Sequence, residues 1–246
     1  MSLIREYIRT LLESNVVLCP FPKAVFMAGG PGSGKSTVIE KLGLRKKLQV
    51  INPDDAFEAA LVAAGLPLDR STVVDNYRPV KKKYLQAVED GDTELAATIE
   101  PEYFALRAIM SQTMKLFSAA RSAAKKTQHE YACGKQNFLV DGTAGDVRQI
   151  SKQVRELRDL GYDVAMIFVD VPLQTSIDRN RSRGSAGDRQ LHDDTVIKSW
   201  SAVDKNKDLY LSLFGRNFFL VDATEENFHK SIDEVAPIVQ AFLSEE

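Results

Sequence analysis

The sequence has few cysteines and no long apolar run. Cys19 and Cys133 are its two cysteines, which is too few for a disulfide framework, and they lack the spacing of a metal site. We interpret both as reduced, structural thiols. No apolar segment approaches the length needed to cross a bilayer, and charged residues interrupt the apolar positions of residues 1–14, so no signal peptide is predicted. These absences predict a cytoplasmic protein with no membrane partner.

The sequence also lacks a strong excess of charge and has few histidines. The formal net charge is −2, so the total gives no reason to expect nucleic acid as an obligatory partner, although a local basic patch stays open. His129, His192 and His229 show no spacing typical of metal ligands. Apolar residues make up 44% and charged residues 27% of the 246 residues, as in a soluble globular protein. The length suits a single domain over residues 1–246.

Short apolar runs alternate with segments of helical periodicity. Continuous apolar strands that alternate with helices are typical of a parallel sheet covered on both faces. We therefore predict an α/β fold with a five-stranded parallel sheet sandwiched by helices, preceded by a helix over residues 1–20. Ligands of such sheets bind at the carboxyl ends of the strands, and four of the five runs end in Asn or Asp. The predicted strands are Lys23–Ala28, Leu48–Asn52, Asn137–Asp141, Val164–Asp170 and Asn217–Asp222.

The helical segments carry start and stop signals. Residues 58–134 contain no convincing strand, and their apolar residues repeat at helical spacing, which predicts a helical insertion between strands two and three. Asp146 is predicted to cap a helix that ends at Gly161. Asp193 or Asp194 is predicted to cap another helix. The inward positions predicted for that helix are Val196, Ile197, Trp200 and Val203.

A glycine-rich motif follows the first predicted strand. It matches G-x-x-x-x-G-K-[ST] and leads into a helix, which is the context of a phosphate-binding loop (P-loop). Glycines let backbone N–H groups converge on a polyphosphate, and the helix N-terminus adds partial positive charge. We predict that Lys35 reaches the β- and γ-phosphates of ATP and that the Ser36 hydroxyl binds Mg²⁺. The predicted nucleotide-binding residues are Gly29, Gly30, Pro31, Gly32, Ser33, Gly34, Lys35, Ser36 and Thr37.

A P-loop alone does not distinguish kinases from GTPases and motor ATPases. A GTPase needs a base-reading N-K-x-D motif. The nearest string, Asn206–Leu209, places its acid one position early. No D-x-x-G switch follows the second predicted strand. The sequence therefore argues against a GTPase.

Three further stretches, in order along the chain, resemble the zeta-toxin-like P-loop kinases. The first is Ile51-Asn-Pro-Asp54, and the second is Phe138-Leu-Val-Asp-Gly-Thr143. The third is Val169-Asp-Val-Pro172 followed by an arginine-rich segment, which we define as the lid, residues 179–193. One departure from the family is that the first arginine after Thr143 is Arg148.

The resemblance implies ATP-dependent phosphorylation of a hydroxyl on a small-molecule or sugar-nucleotide acceptor. By its position in the motif, Asp54 would take the acceptor's proton. Arg183 and Arg189 of the lid would neutralise the transferring phosphoryl group, and Arg179 would contact ATP. An antitoxin-like protein partner stays open.

The acids at the strand ends leave alternatives open. Asp55 follows Asp54 directly, and a shift of one residue in the start of the next helix would exchange their directions. Asp141 could bind Mg²⁺ through water or hold the acceptor, together with Thr143, or it could cap the turn that follows it. Asp170 also ends a strand, but the Val-Pro that follows favours a structural exit.

Two rival functions remain at the level of sequence. A polynucleotide or nucleoside kinase would use basic and aromatic residues such as those of Tyr77–Tyr84 to hold its acceptor, although such a run is also typical of a solvated helix face. An ATP-binding interaction protein would bind nucleotide without transferring phosphate. Lys35, Asp54 and the arginines of the lid together favour a phosphotransferase.

Overall fold

The computed structural model describes residues 21–187 and 189–244, so the helix predicted over residues 1–20 lies outside the described residues. Five parallel strands form one sheet in the order β2-β3-β1-β4-β5. The predicted parallel sheet is confirmed: the bounds of β1 are as predicted, and no end of the other strands differs by more than one residue. The strands are β1 (Lys23–Ala28), β2 (Gln49–Ile51), β3 (Phe138–Val140), β4 (Asp163–Asp170) and β5 (Phe218–Asp222).

Strand β1 lies at the centre of the sheet. Its residues are buried on both faces, which explains why its sequence is continuously apolar after Lys23 rather than alternating. Val25 lies opposite Leu139 of β3 on one side and Ala165 of β4 on the other. Because all the strands run parallel, their carboxyl ends meet at one edge, where the loop after β1 comes beside the chain that leaves β2 and β3.

Helices cover both faces of the sheet and also form the insertion between β2 and β3. The insertion consists of α2, α3 and α4, whereas 58–134 was predicted. The described α-helices are α1 (Lys35–Lys41), α2 (Pro53–Ala63), α3 (Arg70–Glu89), α4 (Thr93–Cys133), α5 (Val147–Asp159), α6 (Leu173–Ser185), α7 (Asp193–Asp204), α8 (Lys207–Phe214) and α9 (Phe228–Ser244).

The insertion has a small apolar core of its own. Phe57 and Leu61 of α2 pack with Ala120 of α4, and Phe117 lies against them. The rings of Phe57 and Phe117 meet edge to face, with centroids 5.3 Å apart, a favourable geometry for aromatic pairs. This packing holds the first turn of α2 beside the middle of α4, which places both helices at the carboxyl edge of the sheet.

Local signals at the helix ends give mixed results. Asp146 caps α5 as predicted, accepting hydrogen bonds from the N–H groups of Arg148 and Gln149. The cap predicted for α7 is wrong, because His192 is the N-cap and its ring accepts a hydrogen bond from Asp194 N–H; the helix is present, and Val196 and Val203 are buried as predicted. Ile197 points outward rather than inward, with 40% of its surface exposed.

Two further findings concern the features that the sequence lacks. Cys133 is a free thiol, as predicted, but it is exposed at the end of α4 rather than buried as expected of a structural thiol. Cys19 lies outside the described residues. Across the described ranges, no helix has both the length and the apolar character needed to span a bilayer.

Candidate active site

The loop between β1 and α1 needs glycine at several positions, and Gly32 and Gly34 illustrate why. Gly32 has φ +78°, and a Cβ there would lie 2.4 Å from the carbonyl oxygen of Ser176. Gly34 has φ +96° and is the N-cap of α1. A residue with a side chain would be strained at both. The first four N–H groups of α1 therefore open onto the concave side of the loop, which suits an anion such as a phosphate.

Neighbouring segments hold this loop from two sides. Gly29 N–H donates to the carbonyl oxygen of Thr143, across 3.2 Å. A Cβ on Gly30 would lie 3.3 Å from Trp200, whose indole N–H donates to the carbonyl oxygen of Val171. The loop is thus tied to the chain after β3 and backed by α7, so its shape is set before any ligand binds.

Lys35 lies at the start of α1 with its ammonium group folded over the loop. It donates to the carbonyl oxygens of Gly29 and Gly30 at 2.9 and 3.0 Å. Burial lowers the pKa of Lys35, and the negative charges of Asp141 and Asp54 oppose that shift. An anionic ligand in the loop would stabilise the charged ammonium further, because it brings negative charge into a site of low dielectric.

Asn52 joins the acids at the ends of β2 and β3. Its side-chain oxygen Oδ1 accepts a hydrogen bond from the N–H of Asp54, so Asn52 caps α2, and Pro53 occupies the first helical position. Its amide nitrogen donates to Asp55 at 2.7 Å and lies 3.3 Å from a carboxylate oxygen of Asp141. Both Asp54 and Asp55 are in the first turn of α2, where the helix dipole favours acids.

Asp141 is the most enclosed of these acids, with 6% of its surface exposed. Burial raises the pKa of Asp141, while the ammonium group of Lys35 opposes the shift. The raised pKa of Asp141 and the lowered pKa of Lys35 have the same origin, since each is a charged group withdrawn from water.

These groups share one space, which we call the central cavity. It has a volume of about 560 Å³, and its wall includes Lys35, Ser36, Asp54, Asp55, Asp141 and Thr143. Arg183 and Arg189 of the lid close its other side. The structure therefore brings together the predicted phosphate-binding, acidic and lid residues, which are far apart in the sequence.

Arg189 makes the strongest polar contact in the central cavity. Its two terminal nitrogens donate to the two carboxylate oxygens of Asp54 at 3.1 and 2.9 Å, and its Nε lies 3.0 Å from Glu58. Only 15% of the Arg189 side chain is exposed. Burial raises the pKa of Glu58, and the charge of Arg189 opposes that shift. Two parallel hydrogen bonds of this kind fix both distance and orientation.

The other arginines of the lid lie in different places. Arg179, on α6, donates to the carbonyl oxygens of Ser33 and Ala223, and Arg183 lines the central cavity. A second space, which we call the outer cavity, has a volume of about 610 Å³ and is lined by Gly32, Thr37, Arg179, Arg183 and Phe228, among others. Arg181 is exposed and pairs with Asp193, away from both cavities.

Sequence reasoning did not identify three polar residues of this site. Asn52 was treated only as the end of a strand, and Glu58 was not considered, although it follows Asp54 by one helical turn. Asn180 is buried and exchanges two hydrogen bonds with the backbone of Leu191, which fixes the lid next to Arg189. Only Glu58 had a signal in the sequence, its spacing from Asp54.

The central cavity has oxygen donors suitable for Mg²⁺. The Ser36 hydroxyl and the Asp141 carboxylate both line it, and both are hard oxygen ligands. Within residues 21–187 and 189–244, no group of three or more His, Cys, Asp or Glu side chains could hold a metal ion. The residues present thus fit a cation that takes one or two protein ligands and completes its coordination with water and phosphate oxygens, as Mg²⁺ does.

Comparison with known proteins places this arrangement in a wider group. A family model described as an AAA domain matches residues 25–203. Comparison with curated protein sequences finds no match. A protein from Chloroflexus aurantiacus J-10-fl, which carries a provisional description as a kinase, has a similar solved structure. Its TM-score is 0.54 at 13% identity, covering 93% of this chain and 100% of that chain.

Two further solved structures are similar with lower TM-scores. A gluconokinase from Sinorhizobium meliloti 1021 has a TM-score of 0.43 at 15% identity, covering 92% of this chain and 93% of its own. A structure from the PezAT chromosomal toxin–antitoxin system of Streptococcus pneumoniae has a TM-score of 0.46 at 15% identity, covering 99% and 96%. TM-scores below 0.5 do not establish a shared fold. The family match spans more than half of the chain, and with its P-loop kinase-like fold this protein belongs to the AAA domain family.

Proposed function

We propose that this protein is an ATP-dependent phosphotransferase that phosphorylates a hydroxyl group of a small-molecule or sugar-nucleotide acceptor. One observation carries the proposal. Lys35 of the P-loop and Asp54 of the insertion line the same cavity, so a phosphate donor and a hydroxyl acceptor can meet there. The proposal treats residues 1–246 as a single kinase domain of a cytoplasmic protein.

In this proposal the nucleotide occupies the P-loop and the outer cavity. The backbone N–H groups of residues 29–37 hold the phosphates, and Lys35 moves from the carbonyl oxygens of Gly29 and Gly30 to the β- and γ-phosphates. Arg179 and Thr37 line the outer cavity beside the loop, where the nucleoside would lie. Ser36 and Asp141 would hold Mg²⁺, which supplies positive charge to the phosphates and orients them.

The transfer itself needs few protein groups. Asp54 accepts the proton of the acceptor hydroxyl. The hydroxyl oxygen bonds to the γ-phosphorus of ATP, and the bond from that phosphorus to the bridging oxygen breaks, which releases ADP. Arg183 and Arg189 neutralise charge on the transferring group, because both line the central cavity opposite Lys35. Asp55 and Thr143 position the acceptor. Catalysis of this kind depends mainly on position and charge.

The finer form of the proposal is phosphorylation of a sugar nucleotide, as in the zeta-toxin-like kinases. It is supported by the stretches at residues 51–54, 138–143 and 169–189, which contribute Asp54, Asp141, Arg183 and Arg189 to the lining of the central cavity. A transfer assay tests both forms. The protein is incubated with Mg²⁺ and γ-³²P-labelled ATP and a panel of sugar nucleotides, sugars, nucleosides and oligonucleotides with free 5′-hydroxyls.

The expected result is label on a sugar or sugar nucleotide, and none with a Lys35→Ala variant. Transfer to oligonucleotides or nucleosides would instead favour the rival kinase function. Hydrolysis of ATP without transfer to any acceptor would contradict the proposal and favour an ATP-binding interaction protein. Equal transfer by wild type and Lys35→Ala would refute the role of the P-loop.

A further inference from the structure

A third space lies beside the central cavity, and we call it the lateral cavity. It has a volume of about 210 Å³ and lies between α4, the chain that follows β3 and the first turns of α5. The volume is below the roughly 300–1,000 Å³ typical of pockets that enclose a whole drug-sized ligand. It therefore suits one part of a ligand whose remainder lies elsewhere.

The lateral cavity adjoins the central cavity. Asp141, Gly142 and Thr143 line both cavities. The chain that follows β3 is therefore the boundary that the two cavities share. A molecule whose hydroxyl group lies near Asp54 can therefore extend past these three residues into the lateral cavity. One end of such an acceptor would react in the central cavity, and its other end would be bound in the lateral cavity.

Two cations on α4 line the lateral cavity. Arg121 and Lys125 are four residues apart and so lie on one face of the helix. In the part of the chain that the structure describes, neither makes a salt bridge to a carboxylate. The guanidinium of Arg121 lies 5.5 Å from the ring centroid of Phe117, which lines the central cavity. Arg121 of the lateral cavity thus contacts a residue that lines the central cavity.

Three amides lie near the two cations. Gln128, Gln149 and Gln153 line the lateral cavity, and Gln153 donates to Gln128 at 3.2 Å. Each amide offers both donors and acceptors, which suits hydroxyl groups. The lining thus combines positive charge with neutral groups that bind polyols.

The carboxylates of the lateral cavity are already engaged. Asp146 accepts hydrogen bonds from the N–H groups of Arg148 and Gln149 at 3.0 and 3.1 Å, and so serves as the cap of α5. Asp141 faces Asn52, and the charge of Lys35 acts on it. Arg121 and Lys125 are therefore the charged groups of this lining that can donate hydrogen bonds to a ligand.

We propose that the lateral cavity binds an anionic group of the acceptor, a carboxylate or a phosphate, through Arg121 and Lys125. The glutamines bind neighbouring hydroxyls. This proposal rests on the proposed function, since it gives the acceptor's class as an anionic polyol whose reacting hydroxyl lies at Asp54. It assigns specificity to two residues that lie outside the P-loop, the strand-end acids and the lid.

Calorimetric binding of three matched sugars tests the proposal without requiring phosphate transfer. Glucose, glucuronate and glucose 6-phosphate share a ring and differ in charge, so they distinguish a carboxylate from a phosphate. The protein is first saturated with ADP and Mg²⁺, because an unfilled P-loop would itself bind a phosphate group. We expect at least one anionic sugar to bind at least tenfold more tightly than glucose.

The variants locate that preference. Arg121→Met with Lys125→Met should weaken binding of the preferred anion by roughly 10- to 100-fold, in line with the loss of charge-assisted hydrogen bonds. Lys126→Met is the matched control, since Lys126 pairs with Glu130 on another face of α4 and should bind as wild type does. Thermal unfolding of each variant verifies folding.

Three outcomes would overturn the proposal: binding of no sugar, equal binding of all three sugars, or an equal loss in the Lys126→Met variant. Failure here is distinct from failure of the proposed function. Transfer to neutral acceptors with no anion preference would remove only the role of the lateral cavity. Anion binding that depends on Arg121 and Lys125, in a protein that transfers no phosphate, would remove only the kinase function.

Discussion

Arg189 and Asp54 form a two-pronged ion pair that joins the lid to the first turn of α2. The two terminal nitrogens of Arg189 lie 3.1 and 2.9 Å from the two carboxylate oxygens of Asp54. The Nε of the same guanidinium forms an ion pair with Glu58. Both oxygens of the proposed base are therefore engaged. Arg189 therefore fixes the orientation of the proposed base, and the phosphates of a nucleotide are anions that can draw its guanidinium away from Asp54.

We expect Arg189→Ala to lower kcat by about 100- to 1,000-fold, the usual cost of removing a donor that stabilises transferring charge. Arg181→Ala is the matched control, because Arg181 lies on the same segment but is exposed and pairs with Asp193 rather than Asp54. It should keep kcat within about twofold, as is usual for exposed ion pairs. Steady-state kinetics with saturating ATP measure both, and equal losses in the two variants would contradict a direct role for Arg189.

Asp54→Asn and Asp55→Asn separate the two adjacent acids. Loss of a general base lowers kcat by about 100- to 10,000-fold, and we expect that loss for Asp54→Asn. Asp55 is held by the Asn52 amide, so Asp55→Asn should raise KM for the acceptor more than it lowers kcat. The reverse pattern in initial-rate kinetics would assign the base to Asp55.

Gly32→Ala and Gly43→Ala test the shape of the P-loop. Both glycines have positive φ, +78° and +65°, but a Cβ on Gly32 would meet the Ser176 carbonyl at 2.4 Å whereas nothing lies within 4 Å of one on Gly43. Gly43→Ala should cost only the backbone strain of about 1–2 kcal/mol and leave ATP affinity unchanged. Gly32→Ala should abolish ATP binding in a calorimetric titration. Retained affinity would mean that the loop does not bind the phosphates.

Asp141→Asn should raise the melting temperature at pH 7.5 while it lowers turnover. Burial raises the pKa of Asp141 above 3.8, so its charged form disfavours the folded state at neutral pH. Below pH 3.8 the carboxyl is protonated in both folded and unfolded chains, and the penalty disappears. The gain from Asp141→Asn should therefore shrink as the pH falls toward 4.

Calorimetric scans at pH 7.5 and pH 4.5 measure this gain. Asp233→Asn, on the exposed face of α9, serves as the control for the removal of one carboxylate, and the gain from Asp141→Asn is compared with its effect at each pH. A lower melting temperature for Asp141→Asn at pH 7.5 would show that its attraction to Lys35 outweighs the cost of burial.

Local chemistry explains which features the sequence predicted well. The strand β1 is apolar at nearly every position because it is buried on both faces, and the glycines at 32 and 34 meet a backbone requirement of the loop itself. The predicted cap of α7 was wrong because three adjacent residues, His192, Asp193 and Asp194, can each accept a hydrogen bond from an N–H group of the helix. The choice among them depends on the path of the lid, which Asn180 fixes by binding Leu191.

By itself, the sequence determined the parallel sheet, the P-loop and the presence of acids at the ends of β2 and β3, since periodicity and backbone conformation are properties of neighbouring residues. Only the tertiary structure decided that Arg189 pairs with Asp54, whereas Arg181 pairs with Asp193 outside both the central and the outer cavity. It also decided that α4 lines a cavity with Arg121 and Lys125. These contacts join segments remote in the chain, and the direction of a long side chain depends on the surfaces that pack around it.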